Sequence, residues 1–186
     1  MPQDRRIAVI VGSLRKESYN LRIACILAEL APPHLSLEFV EIGGLPLYNE
    51  DLEKDPPAAW RAFRDAVRPA EALLFVTPEY NRSMPGALKN ALDVGSRPSG
   101  QSVWNGKPGA VLTATAGQAG GFGANHHLRQ SLTFLNVPTM QQPEAYVGGV
   151  DKLFDAEGRL VVDGTRAFLE RFMTAFAAWV ARFPRD

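Results

Sequence analysis

The chain reads as an α/β protein built on a parallel sheet, and three observations predict it. Apolar strand-like runs alternate with helical stretches from one end to the other, as βαβ crossovers require. Two of those runs, Ala72-Leu-Leu-Phe-Val-Thr77 and Ala110-Val-Leu-Thr113, are apolar almost throughout, the pattern of strands covered by helices on both faces. The first run, Ile7-Ala-Val-Ile-Val11, stops at Gly12 and breaks into hydroxyls, an amide and cations before a helix begins.

Taken in order, strands are predicted over 6–11, 36–41, 72–77, 109–114 and 139–141. Helices fit between them over 20–30, 58–67, 85–94 and 125–135, with a last one over 164–182. The helix over 20–30 carries Ile23, Ile26, Leu27 and Leu30 at helical spacing, and Cys25, beside that stripe, reads as a small buried hydrophobe rather than a reactive thiol. Trp60 and Trp179 lie on amphipathic helices and read as core or interface anchors. Residues 43–57 and 96–108 are rich in turn formers and read as surface loops. Residues 147–163 read as a loop holding a short β-ribbon. With 186 residues the chain suits one domain with one good core.

Composition narrows the partners. Lys plus Arg number 20 and Asp plus Glu number 20, so formal net charge is zero and no basic stripe argues for nucleic acid. The same neutrality weakens a single-electron shuttle, which steers toward partners with a strongly charged face. A lone Cys25 forms no internal disulfide, no run reaches membrane-spanning length, and a cytoplasmic protein is expected.

Ligands of an open parallel sheet collect outside the carboxyl ends of the strands, where strand order reverses. Three polar loops fall there. In the first, Ser13, Ser18 and Asn20 offer donors, Arg15 adds charge, and the following helix contributes free N–H groups. That combination suits an anion; the same residues equally describe an ordinary turn into a helix capped by Ser18 or Asn20. The second loop, Pro78-Glu-Tyr-Asn-Arg-Ser-Met-Pro-Gly86, provides backbone amides and a Tyr face suited to a flat heterocycle. The third, Thr115-Ala-Gly-Gln-Ala-Gly-Gly-Phe-Gly123, lets backbone approach a ligand closely. The chain has no GxxxxGK[ST] motif, and a single Gly12 stands in place of GxGxxG, so a mononucleotide with a terminal phosphate and a planar ring fits best.

The combination Gly12-Ser-Leu-Arg-x-x-Ser-x-Asn20 and Pro78-Glu-Tyr-Asn-x-Ser-x-Pro-Gly-x-Leu-Lys-Asn-Ala-Leu-Asp93 closely resembles the NADPH-dependent FMN reductase family, especially its bacterial quinone and chromate reductases. The resemblance continues through Gly106-Lys-Pro108, Gly120-Gly121, His127-Leu-Arg-Gln130 and Pro143-Glu144. It implies a flavodoxin-like three-layer sandwich with strand order 2-1-3-4-5. It also implies that the loop of Ser13, Leu14, Arg15, Lys16, Glu17, Ser18, Tyr19 and Asn20 holds the FMN phosphate, with Ser13, Arg15, Ser18 and Asn20 as the main donors. Glu79, Tyr80, Asn81 and Arg82 would line the isoalloxazine ring, Pro78 would shape the turn, and Thr115 would reach the flavin from the third loop. Flavin N5 accepts and donates hydride, so no catalytic acid or base is assigned. The implied cycle is ping-pong: NADPH or NADH reduces FMN, then a small acceptor takes the electrons, a quinone in preference to chromate, nitro or azo compounds. A homodimer or homotetramer is implied as well.

Several residues depart from that family pattern or admit plainer roles. Glu17 stands where relatives often carry Gly, adding negative charge beside the proposed phosphate. Arg82 replaces a common aromatic, and Val94-Gly95 replaces a Trp-containing helix end. Trp104 is expected to border a neighbouring subunit's pocket, and Arg129 and Glu144 to make subunit contacts or a surface ion pair. Lys89 reads as a solvated helix residue, Asn90 as a brace for the loop and Asp93 as a helix or interface support. His126 and His127 are adjacent and point about 100° apart on a helix, so no metal site is expected. Two other readings remain: a flavodoxin-like electron carrier or redox sensor, and a flavin-free domain whose loop binds another anion.

Overall fold

A computed structural model describes residues 4–184. The elements run β1 (Arg5–Val11), α1 (Tyr19–Glu29), β2 (Leu35–Val40), α2 (Ala58–Val67), β3 (Ala72–Thr77), α3 (Gly86–Gly95), β4 (Gly109–Ala114), α4 (Phe122–Phe134), β5 (Ala145–Val147) and α5 (Asp163–Val180). All five strands join one parallel sheet in the order β2-β1-β3-β4-β5. The chain therefore reverses direction of growth between β1 and β3, which creates the switch point at their carboxyl ends.

Period-two alternation sends the strand side chains into two cores. Ile7, Val9, Leu74, Val76 and Leu112 pack against α1 and α5, whereas Ala8, Ile10, Leu73, Phe75 and Val111 pack against α2, α3 and α4. Every residue of β3 and β4 is buried, as their apolar runs predict. The helices meet the sheet through stripes at helical spacing: Trp60, Phe63 and Val67 on α2, and Leu169, Phe172, Met173, Phe176 and Val180 on α5. The fully buried Trp60 donates its indole N–H to the Pro46 carbonyl, and the partly buried Trp179 donates to that of Pro138, so both anchor loops as well as core.

Three expectations need correction. The fifth strand is not at 139–141 but at Ala145–Val147, paired with Leu112–Ala114. Thr139 makes only an isolated bridge to Gly109; the chain then leaves the sheet through an exposed Gln141-Gln142 and rejoins it beyond Pro143, which has no N–H for a ladder. Cys25 is exposed rather than buried. It sits about 200° around α1 from Ile23, opposite the face that Ile23 and Leu27 bury, and partial desolvation plus Glu29 raise its thiol pKa.

Trp104 borders no surface: it is fully buried and donates its indole N–H to the Leu92 carbonyl at 3.0 Å. A Cβ at residue 95 would lie 2.5 Å from its ring. Gly95 is therefore the space into which the Trp104 ring fits, and the Val94-Gly95 departure serves this chain's own core.

The ribbon expected within 147–163 exists as one antiparallel bridge, Phe154 to Leu160. Among the described residues, no helix is long and apolar enough to cross a membrane.

Candidate functional site

The carboxyl ends of β1, β3 and β4 bring the three polar loops to one edge. Gly12 lets the first two meet: a Cβ there would fall 2.2 Å from Thr77 Oγ1, so any side chain would push the ends of β1 and β3 apart. Asn20 ties the first loop to the third, donating its side-chain amide to the Ala114 carbonyl at 3.0 Å.

The first loop is an open set of donors. The Gly12 N–H is spent on the Val76 carbonyl, but the N–H groups of residues 13–20 have no partner among the described residues. Ser18 caps α1, its buried Oγ accepting from the Leu21 N–H at 3.1 Å while its own hydroxyl proton stays available. The cap reading and the anion reading therefore hold together. Leu14, Arg15, Lys16 and Glu17 are exposed, Ser13 and Tyr19 are half-buried, and Asn20 is buried. Arg15 makes no ion pair among the described residues and lies 6.0 Å from the centroid of the Tyr19 ring.

Asn20 differs from its expected role. Its amide nitrogen already serves Ala114, and its Oδ1 is buried with no partner among the described residues. The group it leaves free is an acceptor, which suits a hydroxyl-bearing chain better than a phosphate oxygen.

Glu17 is exposed and already paired: its carboxylate accepts from the Arg22 guanidinium at 2.6 Å. Arg22 went unsingled in the sequence because only the folded turn brings it to Glu17.

The second loop is a tight two-residue turn. Tyr80 and Ser83 exchange both backbone hydrogen bonds, and Asn81 and Arg82 take positive φ of 50° and 65°. Asn tolerates that region well; Arg is a rarer occupant, and its guanidinium reaches Glu79 at 3.2 Å. Glu79 itself is mostly buried and accepts from the Ala124 N–H at the start of α4, where the helix dipole favours a carboxylate. The N–H groups of Glu79, Asn81 and Arg82 have no partner among the described residues, and Tyr80 is 47% exposed. Pro78 accepts at its carbonyl from the Thr77 hydroxyl at 3.0 Å. In the third loop, the Thr115 backbone is held between Val147 and Val150, and its exposed hydroxyl donates to the Gly117 carbonyl.

The arrangement can hold an anion at residues 13–18 and a flat ring with carbonyl edges against residues 79–82. FMN has both parts, joined by a ribityl chain whose hydroxyls match the orphaned Asn20 Oδ1.

The comparisons with known proteins decide the lineage. The chain matches the NADPH-dependent FMN reductase family over residues 5–152. It belongs to that family. Its relatives include a quinone reductase of Pseudomonas putida, 61% identical over 181 residues and 97% of both chains. Another, the 2-hydroxy-1,4-benzoquinone reductase of a Burkholderia species, is 51% identical over 94% of this chain and 96% of the other. A solved structure, the flavoenzyme NAD(P)H:(acceptor) oxidoreductase FerB of Paracoccus denitrificans, superposes with a TM-score of 0.90 at 38% identity, covering 96% of this chain and 98% of the other. As a member of the NADPH-dependent FMN reductase family, the chain is an oxidoreductase with FMN as cofactor and a reduced nicotinamide nucleotide as donor, on the flavodoxin-like fold that its strand order displays.

Residues around the site carry supporting roles. Asn90 accepts from the Tyr48 N–H and donates to the Leu45 and Pro46 carbonyls, bracing the 43–57 loop, while Lys89 pairs with Asp93 one turn on. His127 Nδ1 meets Ser83 Oγ at 2.8 Å and His126 Nε2 meets the Tyr146 hydroxyl at 3.0 Å. Arg129 forms no ion pair with Glu144; it donates to Asn125 Oδ1 and to the Met140 carbonyl, and burial lowers its pKa. Asn125, which the sequence reading passed over, is fully buried and bonds Arg129, Thr113 and Ala145, joining α4 to β4 and β5. Its signal was a polar residue beside Leu128 and Leu132 on the buried face of α4.

Proposed function

We propose that this oxidoreductase passes a hydride from NADPH or NADH to a quinone, by a ping-pong cycle in which nucleotide and acceptor use the same face of the flavin in turn. The observation that carries the reading is the run of N–H groups from residue 13 to residue 20, at the switch point, that find no partner among the described residues, beside an Arg15 that makes no ion pair among them. When bound, FMN supplies the two-electron relay between donor and acceptor. Ser13, Leu14, Arg15, Lys16 and Ser18 hold its phosphate through main-chain N–H groups, hydroxyls and charge. Asn20 accepts from the ribityl chain, Tyr19 walls the loop, and Glu17 stays outside it. The free N–H groups of Glu79, Asn81 and Arg82 meet the acceptor atoms of the ring, Tyr80 offers it a face, and Pro78 and Thr115 set the flanks.

A quinone is favoured because relatives at 61% and 51% identity are a quinone reductase and a 2-hydroxy-1,4-benzoquinone reductase. Chromate, nitro and azo compounds are less specific acceptors. The zero net charge argues against a carrier that finds partners by electrostatic steering. Dependence on reduced nicotinamide nucleotides fits a cytoplasmic enzyme.

A homodimer or homotetramer is part of the proposal. A groove of 1360 Å³ opens between α3, α4 and the 96–105 loop, with Phe134 on its rim 90% exposed to solvent. Gel filtration is expected at or above dimer mass; elution as a monomer contradicts the assembly. For the reaction, anaerobic NADPH or NADH bleaches the flavin and a quinone restores its colour. A flavin that neither nucleotide bleaches overturns the enzyme reading in favour of the carrier.

A further inference from the structure

The Glu17 departure has a partner, and the two residues occupy a defined pair of positions. With Ser18 as N-cap of α1, Glu17 is the residue before the cap and Arg22 is the fourth of the helix. In many helices those two positions carry a hydrophobic contact that fixes the angle at which chain meets helix. Here an ion pair takes its place, Glu17 Oε2 to the Arg22 guanidinium at 2.6 Å.

Arg22 is itself held from three sides. Its Cζ lies 5.8 Å from the centroid of the Tyr19 ring and 5.8 Å from that of Phe154, and those two rings stack at 5.9 Å with 20° between planes. Gly158, at φ 80°, closes the third side: a Cβ there would come within 3.4 Å of the guanidinium. The ribbon bridged at Phe154 and Leu160 thus forms a slot that presents Arg22 to Glu17.

We infer that Arg22 is a positioning residue for the phosphate site, engaging the Glu17 carboxylate in an ion pair and so preserving the loop's preference for phosphorylated over unphosphorylated flavin. The inference rests on the FMN reading above. The energetic logic is local. Glu17 is 76% exposed, so the ion pair adds little to folding. Freed of Arg22, the same carboxylate sits one residue from the helix N-terminus and competes with the phosphate for those positive partial charges. Like charges at that range repel enough to shift affinity about five- to tenfold at the effective dielectric of a protein surface.

The test measures FMN and riboflavin binding by fluorescence quenching of the apoprotein. R22A weakens FMN about five- to tenfold and leaves riboflavin unchanged, because only the phosphate meets the freed carboxylate. The double variant R22A/E17Q restores FMN affinity to near the wild-type value. If R22A weakens both flavins equally, or if E17Q fails to rescue it, Arg22 acts by shaping the loop and the inference is overturned. Wild-type protein that binds the two flavins equally sinks the phosphate reading itself, a result separate from either outcome.

Discussion

At the amino-terminal edge of the sheet, polar groups are closed off by side chains. Arg5 reaches both the Glu71 carboxylate at 2.9 Å and the Phe183 carbonyl at 3.0 Å, and Arg6 holds Glu38 through two hydrogen bonds. Lys107 donates to the Val67 and Arg68 carbonyls at the end of α2. At the carboxyl edge the reverse holds: the N–H groups of residues 13–20 and of Glu79, Asn81 and Arg82 have no partner among the described residues. One sheet therefore has an end whose polar groups are spent on the fold and an end whose donors are open. Since a helix N-terminus carries positive potential, the open end favours anions, and the zero net charge of the chain plays no part in that preference.

That contrast can be broken by substitutions at either end. Arg15→Ala at the open end weakens FMN by about 10- to 150-fold, the range for a charge-assisted phosphate contact worth roughly 1.5–3 kcal/mol. Lys89→Ala, whose ammonium is already paired with Asp93, leaves FMN retention near wild type. Equal flavin occupancy in the two purified variants removes Arg15 from the site.

Arg5→Met at the closed end lowers unfolding stability in urea by about 2 kcal/mol, because it strips a mostly buried carboxylate and a carbonyl of a charged donor. FMN affinity stays unchanged. A variant of full stability, or one that loses flavin while folded, shows that the two ends are not separable.

Lys107 tests the closed end through its pH dependence. Burial pushes its ammonium down to about 8, with Arg68 a second cause. Unfolded chain holds that proton up to the ordinary lysine range, so between pH 8 and about 10.5 the unfolded state binds more protons and stability from this group rises with pH. The stability of wild type relative to Lys107→Met is expected to rise across that window, while FMN affinity at fixed pH is the same for both. A difference that stays flat with pH contradicts burial as the cause.

What the sequence disclosed follows from how local each signal is. β3, β4 and α2 have their observed limits in the sequence reading because burial on both faces, or a full stripe from Trp60 to Val67, writes itself into consecutive residues. β5 was misplaced because three residues carry no periodicity, and Met140 is buried without being in a strand. The candidate loops were legible from hydroxyls, glycines and their spacing. The pairs that complete them were not: Glu17 with Arg22, Glu79 with the start of α4, Gly95 with Trp104. Each depends on a turn or a long-range packing contact, so neither partner signals the other along the chain.

The central claim is that the open edge selects a phosphate. Titration of the apoprotein with FMN and with riboflavin, under the same buffer and salt, tests it most directly. FMN is expected to bind at least about tenfold more tightly, since several unpartnered N–H groups and Arg15 act on the phosphate alone. Equal affinity for the two flavins contradicts the account.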